Sequence, residues 1–178
     1  MKQSEQSKKW MAEALLALLE EKPYGAITVK DITEKAGVAR LTFYRNFERK
    51  DDILRYHLME GFEEYLERLR QEEKLDLQQT IALCYRFWEG RKEEIRLLME
   101  QDLAWLIREP FEECLRSVLS EVGLSAHFSE FQIHFLTGGM FSGMLAWLEC
   151  PGAQTPEEIA REILGMIRIT QGNEKENG

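Results

Sequence analysis

Apolar residues recur along the chain at three- and four-residue steps, and strand-like alternation is absent, so the pattern predicts helices almost throughout. A first helix spans about Ser4 to Glu21, with a stripe of Trp10 or Met11, Ala14, Leu15, Leu18 and Leu19. Lys22-Pro23-Tyr24-Gly25 ends it. A short second helix starts at Thr28, whose hydroxyl accepts from orphan backbone N–H groups, while Asp31 suits the positive helix end. It stops at Ala36-Gly37, and a short third helix follows over about Arg40 to Asn46. A long fourth helix begins near Lys50, with helices expected at about 77–89, 92–103, 110–122 and 125–149. Pro110 suits a first helical position. Thr155-Pro156-Glu157-Glu158 is the clearest start signal: cap, N1 proline and a capping-box glutamate. The expected organisation is a head over residues 1–50, a body over 51–171 and a tail over 172–178.

Charge changes this picture, because it is divided unevenly. Residues 1–50 hold ten Lys/Arg against seven Asp/Glu, giving +3; residues 51–178 hold thirteen against twenty-five, giving −12. A basic head on an acidic body suits an anion-binding module attached to a sensor or partner domain. Hydrophobic residues make up 44% of the chain, which excludes a disordered protein and supplies a core. No apolar run reaches the roughly 18 residues of a membrane span. The polar N-terminal stretch predicts no secretory signal. Cys84, Cys114 and Cys150 are widely spaced and odd in number, which argues against a disulfide framework and for a reducing cytoplasm.

Residues 28–50 hold two short helices joined by a tight glycine turn, the requirement of a helix-turn-helix that inserts its second helix into the major groove. Inward positions are Ile32, Ala36, Val38, Leu41 or Phe43, and Phe47. Outward positions are Arg40, Thr42, Tyr44, Arg45 and Asn46, which offer donors to phosphates and base edges.

The string from Ile27 to Leu54 resembles the N-terminal domain of the tetracycline-repressor (TetR) family. Its Thr28-Val29-Lys30-Asp31-Ile32, Ala36-Gly37-Val38, Thr42-Phe43-Tyr44-Arg45-Asn46-Phe47 and Lys50-Asp51-Asp52-Ile53-Leu54 elements fall in order and register. The resemblance implies an all-α, homodimeric transcription regulator, most often a repressor that leaves a double-stranded DNA operator when a small effector binds. It implies that Thr28 touches a phosphate, that Arg40, Leu41 and Thr42 face base edges, that Tyr44 bonds a phosphate, and that Lys50 holds another. The chain departs from the family pattern at five places. Thr33 stands for a small alanine, Ala39 for the Ser or Thr cap of the recognition helix, Leu41 for a glycine, Asn46 for a histidine and Arg49 for a cap.

In the body, Gly139 and Gly143 bare one side of a helix. With Trp147, Ile159, Ile163, Met166 and Ile167 they make a dimer seam, the alternative being close packing inside one subunit. Candidates for an apolar effector pocket are Cys84, Phe87, Trp88, Met99, Trp105, Phe111, Phe131, His134, Phe135, Met140 and Met144, with plain core as the competing reading. His127 and His134 lie about 10 Å apart along their helix, too far to ligate one metal alone, and no cysteine has nucleophile or ligand spacing. The expectation is therefore no enzyme, no cofactor, no metal and no membrane partner. The second function class is a co-regulator whose acidic body binds another regulatory protein.

Overall fold

The computed structural model describes residues 2–72, 76–150, 152 and 154–172. Among them are nine α-helices, two 3₁₀ turns and no strand: α1 Lys2–Glu21, α2 Val29–Lys35, α3 Arg40–Asn46, α4 Lys50–Gln71, α5 Leu77–Glu89, α6 Lys92–Glu100, α7 Trp105–Glu121, α8 Glu130–Glu149 and α9 Pro156–Gly172. The expected tail lies, from residue 173 onward, outside the described residues. The chain forms two compact units. The first joins residues 1–63 to 93–111, and the second joins 64–92 to 112–178.

The first unit closes around Met11, Leu15 and Leu19 of α1, Ile32 of α2, Phe43 of α3, Ile53, Leu54 and Leu58 of α4, and Ile95 of α6, all fully buried. Phe62 meets Phe111 edge-on at 6.0 Å between ring centroids. Burying a large aliphatic or aromatic side chain contributes about 1.5–3 kcal/mol, so this cluster dominates the unit's stability. In the second unit, Tyr65, Tyr85, Phe87 and Trp88 are buried, as are Met144 of α8 and Ile159 and Ala160 of α9. The Tyr65 hydroxyl donates to the Thr80 carbonyl at 3.1 Å, which satisfies it inside this core.

Helix starts follow the caps. Thr28 and Asp31 form a capping box on α2, Asp76 and Gln79 on α5, and Ser129 and Gln132 on α8. The last pair corrects one boundary. The helix expected from Ser125 starts at Glu130, after a 3₁₀ turn at Ser125–His127, because Ser129 supplies the cap. Two neighbours also differ from expectation. α6 ends at Glu100, where Asp102 takes a left-handed backbone (φ 58°) and Leu103 N–H reaches back to the Leu98 carbonyl at 2.8 Å. α7 starts five residues early, at Trp105, so Pro110 lies inside the helix instead of opening it. The proline has no N–H to give to the Leu106 carbonyl, and its ring is buried.

Candidate nucleic-acid interface

The α2–α3 turn is built by backbone geometry. Gly37 adopts φ 67°, a conformation that costs glycine nothing. Val38 N–H bonds the Thr33 carbonyl at 3.0 Å and Gly37 N–H bonds the Glu34 carbonyl at 3.2 Å. These two bonds form a Schellman closure that ends α2 and redirects the chain into α3. Thr33 fits where a smaller residue was expected, because its buried hydroxyl donates to the Val29 and Lys30 carbonyls at 3.0 and 3.1 Å.

The phenylalanines of α3 and its C-cap, Phe43 and Phe47, are buried and anchor the helix. Of the alternative inward pair, Phe43 turns in and Leu41 turns out, with 58% of its surface exposed. Val38 and Ala36 are half-buried. Arg40, Tyr44 and Arg45 are exposed, while Thr42 and Asn46 are half-buried rather than fully outward. Arg40 Nη2 donates to the Tyr44 hydroxyl at 3.0 Å, and its guanidinium lies 5.5 Å from that ring's centroid. The outer ridge of α3 is therefore Arg40, Leu41, Tyr44 and Arg45, two cations with one apolar and one phenolic contact. No carboxylate occurs between Lys35 and Phe47.

Two supporting contacts hold this ridge. Asn46 Nδ2 donates to the Thr42 carbonyl at 2.7 Å, and Asn46 Oδ1 accepts from Ser4 Oγ of α1 at 2.5 Å. The sequence carried no signal for Ser4, which lies 42 residues away. Ala39 gives α3 no side-chain cap. The start of α4 lacks a capping residue too, but Asp52 compensates by accepting from Glu48 N–H at 3.0 Å and Arg49 N–H at 2.7 Å.

Thr28 is exposed and its hydroxyl both accepts from Asp31 N–H at 3.2 Å and donates to the Asp31 carboxylate at 2.9 Å. Hydrogen bonds from Lys22, then from Thr28, hold the Asp31 carboxyl down at about 2. Lys50 is half-buried, and its ammonium donates to the carbonyls of Tyr24 at 2.5 Å and Ile27 at 2.9 Å.

The effector-pocket candidates divide between the two units. Met99, Trp105 and Phe111 fall in the first unit and the others in the second. Phe87, Trp88, Phe111 and Met144 are core, and Cys84, Met99 and Met140 are half-buried. Trp105, Phe131, His134 and Phe135 are exposed, and His134 Nδ1 lies 3.0 Å from Glu112. A groove of about 270 Å³ in the second unit is lined by Glu72, Gln78, Gln79, Ala82, Leu83, Arg86 and Glu157, none of them a candidate.

The seam candidates divide as well. A Cβ built on Gly139 meets nothing within 4 Å, and one built on Gly143 meets only the Tyr85 hydroxyl at 3.8 Å. Close packing inside the subunit therefore does not explain Gly139. Met166 is exposed and Ile163 half-buried, whereas Ile159 and Ile167 face their own subunit's core. Trp147 packs edge-on against Tyr85 at 5.3 Å, and its indole N–H donates to the Gln154 carbonyl at 2.9 Å. Phe131 and Phe135 stack 6.5 Å apart on the same helix as Gly139.

Among the described residues, no cluster of three or more His, Cys, Asp or Glu could hold a metal, and no helix is long and apolar enough to cross a membrane. Residues 12–56 match the family described as bacterial regulatory proteins, tetR family. No curated protein sequence matches the chain. Among solved structures, Lin0861 from Listeria innocua superposes with a TM-score of 0.80 at 14% identity, covering 96% of this chain and 93% of that one. A TetR transcriptional regulator from Streptococcus agalactiae 2603V gives 0.64 at 23% identity, covering 93% and 96%. The TetR family repressor AlkX from Dietzia sp. strain DQ12-45-1b, implicated in biodegradation of n-alkanes, gives 0.53 at 16% identity, covering 90% and 92%. At these identities the likeness concerns the fold.

Proposed function

We propose, from the match of residues 12–56 to the tetR family of bacterial regulatory proteins, that the chain is a transcription regulator, a repressor that binds a pseudo-palindromic DNA operator as a homodimer and responds to a small effector. The observation that carries this reading is the exposed Arg40-Leu41-Tyr44-Arg45 ridge on a helix whose opposite side is anchored by Phe43 and Phe47. Arginine presents a planar fork to guanine O6 and N7, Tyr44 reaches a phosphate, and Leu41 suits a thymine methyl. Thr28 stands exposed at the start of α2, where its hydroxyl and the helix N–H groups suit another phosphate. Thr42 and Asn46 sit deeper and frame the reading edge.

Two copies joined through the face of Phe131, Phe135, Gly139 and Met166 would present two such ridges, so half-sites lie about one helical turn or a modest excess apart. The effector reading draws on the apolar interior of the second unit, in which Phe87, Trp88 and Met144 are buried and Cys84 and Met140 half-buried. Thermal-shift screening with small metabolites finds compounds that raise the melting temperature. The expected hits also change DNA affinity, and hits that leave it untouched would remove ligand response from the account.

Selection from random duplexes at low salt tests DNA binding itself. The expected outcome is an enriched inverted repeat, and unenriched pools would overturn the reading. A second reading, a co-regulator that works through its acidic body, is favoured by the missing side-chain cap on α3. It predicts that regulation in cells survives loss of Arg40 and Arg45.

A further inference from the structure

We infer that Lys50 and Gln101 are positioning residues of the DNA-reading unit, which together brace the connection between α1 and α2 against the start of α4. The inference rests on the DNA-binding reading above, and it gives Lys50 a role different from the phosphate contact that the sequence resemblance implies.

The brace is centred on Tyr24. Every polar group of this residue is engaged. Its carbonyl accepts from the Lys50 ammonium at 2.5 Å, and its N–H donates to Gln101 Oε1 at 2.9 Å. Its hydroxyl donates to Asp51, next to Lys50 in the first turn of α4. The ring face takes the same ammonium at 3.9 Å from its centroid. Lys50 makes a second bond to the Ile27 carbonyl at 2.9 Å, so two of its three N–H donors and one flank are committed. Partial burial pushes its pKa below the usual lysine range. Burial, then the bond to Asp51, pushes the Tyr24 phenol up.

Gln101 closes the other side. Its Nε2 donates to the Leu19 carbonyl in the last turn of α1 at 3.0 Å while its Oε1 holds Tyr24 N–H. One amide therefore spans the exit of α1 and the connection that leads to Thr28. Gln101 itself is held by the turn after α6, where Asp102 is left-handed and Leu103 N–H bonds Leu98. Two charge-assisted bonds and a cation–π contact hold the ammonium toward the protein, so turning it out to a phosphate would exchange these for one salt-screened ion pair.

The test uses the full chain, the selected duplex and an unrelated duplex, titrated between about 50 and 200 mM salt, where phosphate contacts dominate the slope. A lost phosphate contact lowers the log–log slope by about one and weakens all duplexes alike. With a lost brace, Lys50→Met binds the selected duplex about tenfold more weakly, with the slope and the unrelated duplex unchanged. Gln101→Leu, which removes no charge, is expected to do the same, and the double variant to lose less than the two losses combined. Hydrogen exchange over residues 22–28 gives a readout without DNA, and it is expected to speed up in both variants. A slope reduced by about one in Lys50→Met, or unchanged exchange and affinity in Gln101→Leu, would overturn the inference. A wild-type chain that binds no duplex, with exchange still accelerated in both variants, would overturn the DNA-binding reading and leave the brace standing.

Discussion

Single residues at the edge of the reading surface carry separable jobs. Thr28 and Asp31 satisfy each other's backbone groups, so Thr28→Ala removes a cap and is expected to cost about 1 kcal/mol of stability, read by urea or thermal unfolding. The Asp31 carboxyl titrates at about 2 in the folded chain against an ordinary 3.8. A depressed folded value means stabilisation that is present above the unfolded value and lost as pH falls toward the folded one. Acid titration is therefore expected to weaken the start of α2 between about pH 4 and pH 2. The carboxyl carbon shift of Asp31 reports that limb in the wild type, and acid melting curves of Asp31→Asn are expected to lack it. Arg40 and Tyr44 are already in contact, so on the proposed DNA-binding reading they would meet DNA as a pre-assembled pair with less side-chain freedom to lose.

At the scale of elements, α3 is the weak one: seven residues, no side-chain cap, and two buried phenylalanines as its anchor. Ala39→Ser is expected to stabilise the folded chain by about 0.5–1 kcal/mol, measured by thermal unfolding. Tighter operator binding should accompany it if α3 orders on DNA, and an unchanged affinity would show that the helix is already rigid without a cap. The same elements show what the sequence could and could not reveal. Caps and turns were legible at Thr28, Gly37 and Thr155, because those signals are local, whereas the Ser129–Gln132 capping box was hidden inside the helix expected from Ser125. The start of α7 was not legible, because Pro110 reads as a helix opener and only buried Leu106 and Ile107 extend the helix backward past it. Ser4 beside Asn46 and Gln101 beside Tyr24 were hidden for another reason. A hydrogen bond across 42 or 77 residues leaves no periodic or spacing trace in one chain. The outward ridge of α3 was visible as a cationic stretch without carboxylates, but the choice between Leu41 and Phe43 as its buried residue needed the packing.

For the whole molecule, charge is divided unevenly: residues 1–50 carry +3 and residues 51–178 carry −12, the distribution that suits an anion-binding module on a partner or sensor domain. The stacked Phe131–Phe135 pair, 77% and 67% exposed, is a large apolar feature for a single chain. Beside it, Gly139 has room for a side chain. Gly139→Ala is thus expected to raise the stability of the isolated chain by about 0.5–1 kcal/mol through helix propensity while weakening association of two copies. Sedimentation and chemical unfolding read these opposite directions separately. Phe135→Glu is expected to give a monomer that keeps its helix content, and a dimer unaffected by it would move the seam elsewhere. DNA affinity should fall with the dimer, since one ridge alone spans one half-site. The most direct check on the account is the ratio of affinities for the selected duplex and a scrambled one, measured for wild type and for Arg40→Ala. The ratio is predicted to fall by about tenfold or more; an unchanged ratio would contradict a reading surface built on the exposed edge of α3.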